Sequence, residues 1–251
     1  MKLRLITSLL LVAAATGASA ASIDYRLQYR SGAEQYQNRV LLAHDFANGI
    51  GGSVEYTVRN SSAPGEGFDA WHWNDTEYGL WYKYKLNDSL TIIPLFYYDV
   101  AHDKNEGKDD IIKPGVQLNW ALAPGWRLDG RFRYEAKLAE SKDLKGRLDN
   151  DNTTRTDLWL RKSFENQLDA YYNFRWDHKL NDYEYNASSS EASSNYFENN
   201  IGLGYKFTKE VRAYTELGYL GKTKDPDDKR SKNYDTVADW RLRVGVSYTF
   251  F

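Results

Sequence analysis

From Asp239 to Phe251 the chain reads DWRLRVGVSYTFF, and apolar and polar residues alternate strictly. Trp240, Leu242, Val244, Val246, Tyr248 and Phe250 share one face. Asp239, Arg241, Arg243, Gly245, Ser247 and Thr249 share the other. A period of two is the signature of a strand. As the last strand of a soluble sheet this one would leave a greasy edge, which soluble proteins blunt. Closing a barrel in a membrane removes the edge altogether.

The same alternation recurs in segments of about ten residues, the length a tilted transmembrane strand needs. It predicts twelve strands: Ile23–Arg30, Tyr36–Phe46, Ile50–Asn60, Asp75–Lys85, Leu90–Asp99, Ile111–Leu122, Trp126–Glu135, Thr154–Lys162, Gln167–Trp176, Asn195–Tyr205, Glu210–Leu220 and the closing stretch. Trp126–Glu135 alternates without a fault. The second segment is irregular and the fifth is apolar almost throughout, so periodicity leaves their phase open. Connections alternate in length. Ala47-Asn48-Gly49, Asn87-Asp88-Ser89, Ala123-Pro124-Gly125, Glu165-Asn166 and Thr208-Lys209 are brief, while Ser61–Asn74, Ala101–Asp110, Ala136–Thr153, Asp177–Ser194 and Gly221–Asp235 are long and polar. Short periplasmic turns, long outer loops and an even strand count describe a bacterial outer-membrane barrel. The predicted fold is therefore all-β: a 12-stranded antiparallel transmembrane β-barrel.

Composition adds three points. Lys2 and Arg4 precede an apolar run from Leu5 to Ala15, followed by Ala18-Ser19-Ala20. This predicts a secretory signal peptide over residues 1–20 and one barrel domain over 21–251. Cysteine is absent, which excludes a disulfide scaffold. A formal net charge of -2 carries no basic signature of a nucleic-acid partner.

The phase of each strand then assigns its faces. An arginine at the bilayer midplane costs about 2–4 kcal/mol on a lipid face, so the aromatic and aliphatic rows face lipid and the charged rows face the lumen. Trp120, Trp126, Phe207 and Phe250 are the expected periplasmic girdle, and Tyr29, Tyr134, Trp176, Tyr219 and Trp240 the outer one. Of 15 arginines after residue 20, this phasing turns 13 inward: Arg26, Arg30, Arg39, Arg59, Arg127, Arg131, Arg133, Arg155, Arg161, Arg175, Arg212, Arg241 and Arg243. Among lysines it turns in only Lys83, Lys85 and Lys113. Arginine differs from lysine by a planar fork that binds carboxylates bidentately and stacks on rings. A lumen sorted in this way suits carboxylated anions. The rival reading is a closed barrel, plugged by pairing with inward acids such as Asp24, Glu55, Glu77, Asp99, Asp129, Asp157 and Glu216. Inward bases exceed inward acids by five, which favours the open pore. Twelve strands at about 4.8 Å spacing and about 40° tilt give a diameter of about 24 Å and a channel of about 10 Å.

Enzyme chemistry finds little support. There is no G-x-S-x-G and no H-E-x-x-H. His72, His102 and His178 fall in or near outer loops, and His44 near the lipid interface. The acidic stretches Asp149–Asn152 and Asp225–Asp228 lack the glycine and terminal acid of a calcium loop. No cofactor or metal is implied.

With WRLDGRFRYE at Trp126–Glu135, Lys113-Pro114-Gly115 opening a strand, and the closing RLRVGVSYTF, the chain resembles the oligogalacturonate-specific porins of Gram-negative outer membranes, a group that includes a sialic-acid porin. The resemblance spans essentially the whole chain after the leader. It implies a monomeric twelve-stranded channel lined by two arginine-rich tracks that passes acidic oligosaccharides passively. It implies substrate contacts at Arg127, Arg131, Arg133, Arg241 and Arg243 in particular, with Arg26, Arg30, Arg155, Arg161, Arg175, Arg212, Lys83 and Lys113 completing the expected lumen set. The final aromatic, Phe251, fits the C-terminal signal read by barrel-assembly machinery. The expected partners are thus an acidic oligosaccharide, the lipid bilayer and that machinery. Oligogalacturonate is the first expected substrate and sialic acid the second.

Overall fold

A computed structural model describes residues 21–60, 71–102, 109–142, 148–181, 183–187, 189–190, 192–225, 227–228 and 233–250. The predicted leader and Phe251 lie outside the described residues. Twelve long strands follow one another: β1 (Ala21–Arg30), β2 (Gln35–Asp45), β3 (Ile50–Asn60), β4 (Trp71–Tyr82), β5 (Leu90–Ala101), β6 (Ile111–Ala123), β7 (Trp126–Lys137), β8 (Thr153–Ser163), β9 (Leu168–Lys179), β10 (Asn195–Lys206), β11 (Val211–Lys224) and β12 (Thr236–Thr249). Each pairs antiparallel with its sequence neighbours, and Tyr84–Lys85 continues β4 along β5. The opening strand pairs with the closing one from Ser22↔Thr249 to Arg30↔Arg241, so the sheet is a closed barrel. A short ladder of Ser141–Lys142 with Leu148–Asp149 rises from the loop between β7 and β8.

Several strands run further outward than alternation predicts: β4 begins at Trp71, β9 reaches Lys179 and β12 begins at Thr236. The β9 extension, Asp177-His178-Lys179, carries polar residues on both faces, while the β4 extension keeps Trp71 and Trp73 on one face, so alternation alone does not mark these outer ends. The last hairpin tolerates its extension through a bulge between Tyr219 and Lys222, where Gly221 takes φ +76°. At the periplasmic end Gly49, at φ +88°, closes the turn from Phe46.

Burial is inverted relative to a soluble protein. Phe132, Leu160, Ile201, Leu203, Leu217, Leu242 and Val246 are exposed, forming the lipid belt. The most deeply buried side chains include Asp157 and Asp239, both at 0% exposure. The two open phases are settled by register. On β2, Arg39 faces Arg26 and Thr57, so Gln37, Arg39 and Leu41 point inward and Val40 and Leu42 outward. On β5, Asp99 faces Glu77, which turns Leu95 and Ile93 into the lumen at 7% and 6% exposure. This strand is apolar on both faces because its lower half builds a small core inside the barrel wall. Gly115 lies opposite Leu95 and Gly79 opposite Tyr97, leaving space that those side chains fill.

Candidate functional site

The lumen holds a cavity of about 740 Å³ lined mainly by strand residues of the inward phase. Its walls differ. On β7, β8 and β9 the register stacks charged rows: Arg127 beside Arg161, Asp129 beside Trp159, Arg131 beside Asp157, and Arg133 beside Arg155. Each row passes its charge to the next. Asp129 forms an ion pair with Arg127 at 2.8 Å and accepts from Arg161 at 2.7 Å. Asp157 accepts from Arg131 at 2.8 Å and Arg175 at 3.0 Å. Glu135 forms ion pairs with Arg133 at 2.9 Å and Arg155 at 3.2 Å, and Arg155 grips Asp177 through two hydrogen bonds. Rings space the guanidinium groups without neutralising them. Arg131 lies 5.0 Å and Arg161 5.6 Å from the centre of the Trp159 ring, and Arg161 lies 5.1 Å from that of Tyr171.

On β4, β5 and β6 there is no arginine. Asp75, Glu77 and Asp99 line the cavity there beside Lys113. Lys113 Nζ donates to Glu77 at 2.6 Å and to Asp99 at 2.8 Å. Thr57 and Asn74 donate to Asp75.

The third wall runs from β10 through the barrel closure to β2. Arg241 is buried and donates to Glu198 at 3.0 Å, Asn200 at 2.8 Å and Glu216 at 3.4 Å. Arg243 donates to Glu216 and Gln28, both at 2.7 Å. Arg212 pairs with Asp169, and Arg39 with Asp24 and Glu55. Glycines make this wall thin. A Cβ on Gly202 would collide with the Tyr171 ring, one on Gly204 with the Arg212 guanidinium and one on Gly245 with the Tyr214 ring. The lumen glycines therefore let large side chains lie flat against the sheet.

The predicted residues distribute unevenly over this frame. Arg26, Arg127, Arg131, Arg133, Arg155, Arg161, Arg175, Arg212, Arg243 and Lys113 line the cavity, as does Arg39. Arg30, Arg241 and Lys83 stand apart from it. Arg30 is held at the outer end by Asp239, whose other oxygen accepts from Gly32 N–H. Lys83 binds Asp45 at 2.6 Å at the periplasmic end. Three further acids (Asp45, Asp75, Asp177) and three further lysines (Lys137, Lys179, Lys206) take inward positions, leaving the basic surplus unchanged. Trp159, Tyr171 and Tyr214 are lining residues that the charge-based search passed over. Their signal was present, since each occupies the lumen phase of its strand, where an aromatic residue breaks the charged row.

Above the membrane, Asp151 accepts from Lys137 at 2.8 Å and from Lys179 at 2.6 Å. Burial pushes its carboxyl upward, but the two ammonium groups outweigh this and hold it below the usual carboxylate range. Tyr185, in the loop after β9, rests its ring 5.2 Å from that of Tyr196 at the outer mouth.

The profile of a family described as "Oligogalacturonate-specific porin protein (KdgM)" matches residues 14–250. The chain belongs to this family. It is 27% identical over 233 residues to the N-acetylneuraminic acid outer membrane channel protein NanC of Escherichia coli K12, covering 91% of this chain and 90% of that one. It is 26% identical over 261 residues to the oligogalacturonate-specific porin KdgM of Dickeya dadantii, covering 100% of both. The solved NanC porin structure superposes with a TM-score of 0.74 at 25% identity, over 91% of this chain and all of that one. As a member of this porin family with a closed barrel and a lipid belt, the protein resides in the bacterial outer membrane.

Proposed function

We propose that this porin passes acidic oligosaccharides down their gradient, with oligogalacturonate as the substrate. The observation that carries this reading is the cavity wall, where ten arginines line a space of about 740 Å³. Their planar forks match sugar carboxylates, and the rings of Trp159 and Tyr171 keep them apart. Most of these arginines also pair with lumen acids. The pairing makes each site weak, and conduction requires weak sites that release as readily as they bind. A barrel of this kind acts as a passive filter and not as an enzyme. The arginine-lined cavity lies within one copy, so the reading takes the monomer as the working unit. Its closing strand is the segment offered to the assembly machinery.

Sialic acid is the second reading, favoured by the TM-score of 0.74 with the NanC structure. Swelling of proteoliposomes in trigalacturonate, sialate and a neutral trisaccharide separates the cases. The reading predicts faster entry of trigalacturonate than of either other solute. Faster sialate entry favours the second reading, and equal rates for acidic and neutral sugars contradict both.

A further inference from the structure

Resting on the porin reading above, we infer that Arg26 is the principal receptor for a sugar carboxylate, being the one cavity-lining arginine that no carboxylate among the described residues pairs with. Arg26 sits midway along β1, facing Arg39 on β2 and Gly245 on β12. It lines the cavity, and its Nε is buried without a hydrogen-bond partner. No described carboxylate pairs with it, whereas Arg39, Arg131, Arg155, Arg161, Arg175, Arg212 and Arg243 all hold acids.

The nearby acids are already engaged. Asp24, two residues away on the same face, is taken by Arg39 and by the Tyr214 hydroxyl at 3.0 Å. Glu55 accepts from Arg39 at 3.2 Å. Glu216 is shared among Arg243, Arg241 and the Tyr171 hydroxyl. Across the closure, Gly245 contributes no side chain, and its lumen space holds the Tyr214 ring. Arg26 is thus flanked by cations whose counter-ions are fixed elsewhere. A partly desolvated guanidinium in that setting gains most from an acceptor that arrives from outside. A uronate carboxylate supplies one, taking two parallel N–H bonds in place of lumen water.

This changes the expected mode of permeation. Paired arginines contribute a diffuse field, and one unpaired arginine contributes a saturable site. A single sugar acid should therefore interrupt the current with one-site concentration dependence.

The test is galacturonate block of single-channel current in planar bilayers, using refolded full-length barrel checked by heat-modifiable gel mobility. Arg26→Gln should weaken galacturonate binding at least tenfold, and Arg26→Lys less than Arg26→Gln. Arg175→Gln, which removes one equal charge from a paired position, should weaken it several-fold less than Arg26→Gln. Binding within twofold of wild type in Arg26→Gln overturns the inference. Equal losses in Arg26→Gln and Arg175→Gln overturn it too, because they reveal a charge effect acting through space. If Arg26→Gln fails to fold, Arg26→Lys decides, since its ammonium lacks the fork: undiminished binding is the overturning result. A wild-type pore that ignores galacturonate overturns the proposed substrate instead. Chloride preference then tests the residue alone, with a larger fall in Arg26→Gln than in Arg175→Gln upholding an unpaired guanidinium and equal falls overturning it.

Discussion

The wall built by β7, β8 and β9 carries six cavity-lining arginines, and the wall built by β4, β5 and β6 carries none. Both are charged and both are largely satisfied internally, yet they solve the problem differently. On the arginine wall Asp129, Asp157 and Glu135 each bridge two guanidinium groups, and Trp159 and Tyr171 intervene. On the other wall one ammonium, Lys113, holds two carboxylates, and Asp75 relies on neutral donors. Cations are in excess on the first and anions on the second. The lumen is therefore electrically lopsided, and a permeating sugar acid has a side to face. Arginine suits the crowded wall because one fork serves two acids while its face stacks on a ring. Lysine suits the sparse wall because a point charge needs no such geometry.

The largest effect is expected where a wall depends on one group. Lys113→Met leaves Glu77 and Asp99 without their cation, and should cost about 3 kcal/mol of barrel stability, because breaking a buried pair strands a charge. Urea unfolding of the refolded barrel measures it, and a cost below about 1 kcal/mol would mean that lumen water compensates these acids. Next in size is the arginine wall. Replacing Arg131 and Arg133 together by Gln should roughly halve the anion-to-cation permeability ratio, as two lumen charges are removed at short range. Gln is the cleaner probe than charge reversal, since an acid at 131 would face Asp157. Unaltered reversal potentials would show that the wall is structural alone. A smaller change of opposite sign is expected from Asp75→Asn, which trims the acidic wall and should raise anion preference. The smallest concerns the outer rim. The lowered Asp151 carboxyl contributes a modest stability at neutral pH, which is lost as pH falls through its folded-state value. The difference in melting temperature between wild type and Asp151→Asn should therefore be present at neutral pH and vanish in acid. A difference that persists in acid would point to packing rather than charge.

Much of the barrel was legible from alternation. Trp126–Glu135 reads as a strand, with its faces assigned, because lipid forbids charge on one side and water allows it on the other, and the structure extends it to Lys137. The fifth strand could not be phased because Ile93 and Leu95 satisfy an interior core by the same chemistry that satisfies lipid. The inward direction of the arginines was equally legible, but their partners were not. Arg30 and Asp239 lie 209 residues apart and meet only because the first and last strands close the barrel. Arg241 and Arg243 belong to one polar row, yet Arg241 sinks into a network with Glu198 and Asn200 while Arg243 reaches the cavity. Gly218, paired opposite Arg241, leaves the space on that side that Asn200 and Arg241 fill.

The central claim is that a surplus of lumen arginine makes this barrel an anion-selective pore. The most direct test is the zero-current potential of the wild-type channel in a planar bilayer under a KCl gradient. Chloride crossing ahead of potassium should leave the dilute compartment negative. A dilute compartment that is positive, or a membrane that shows no conductance steps at all, would contradict the account.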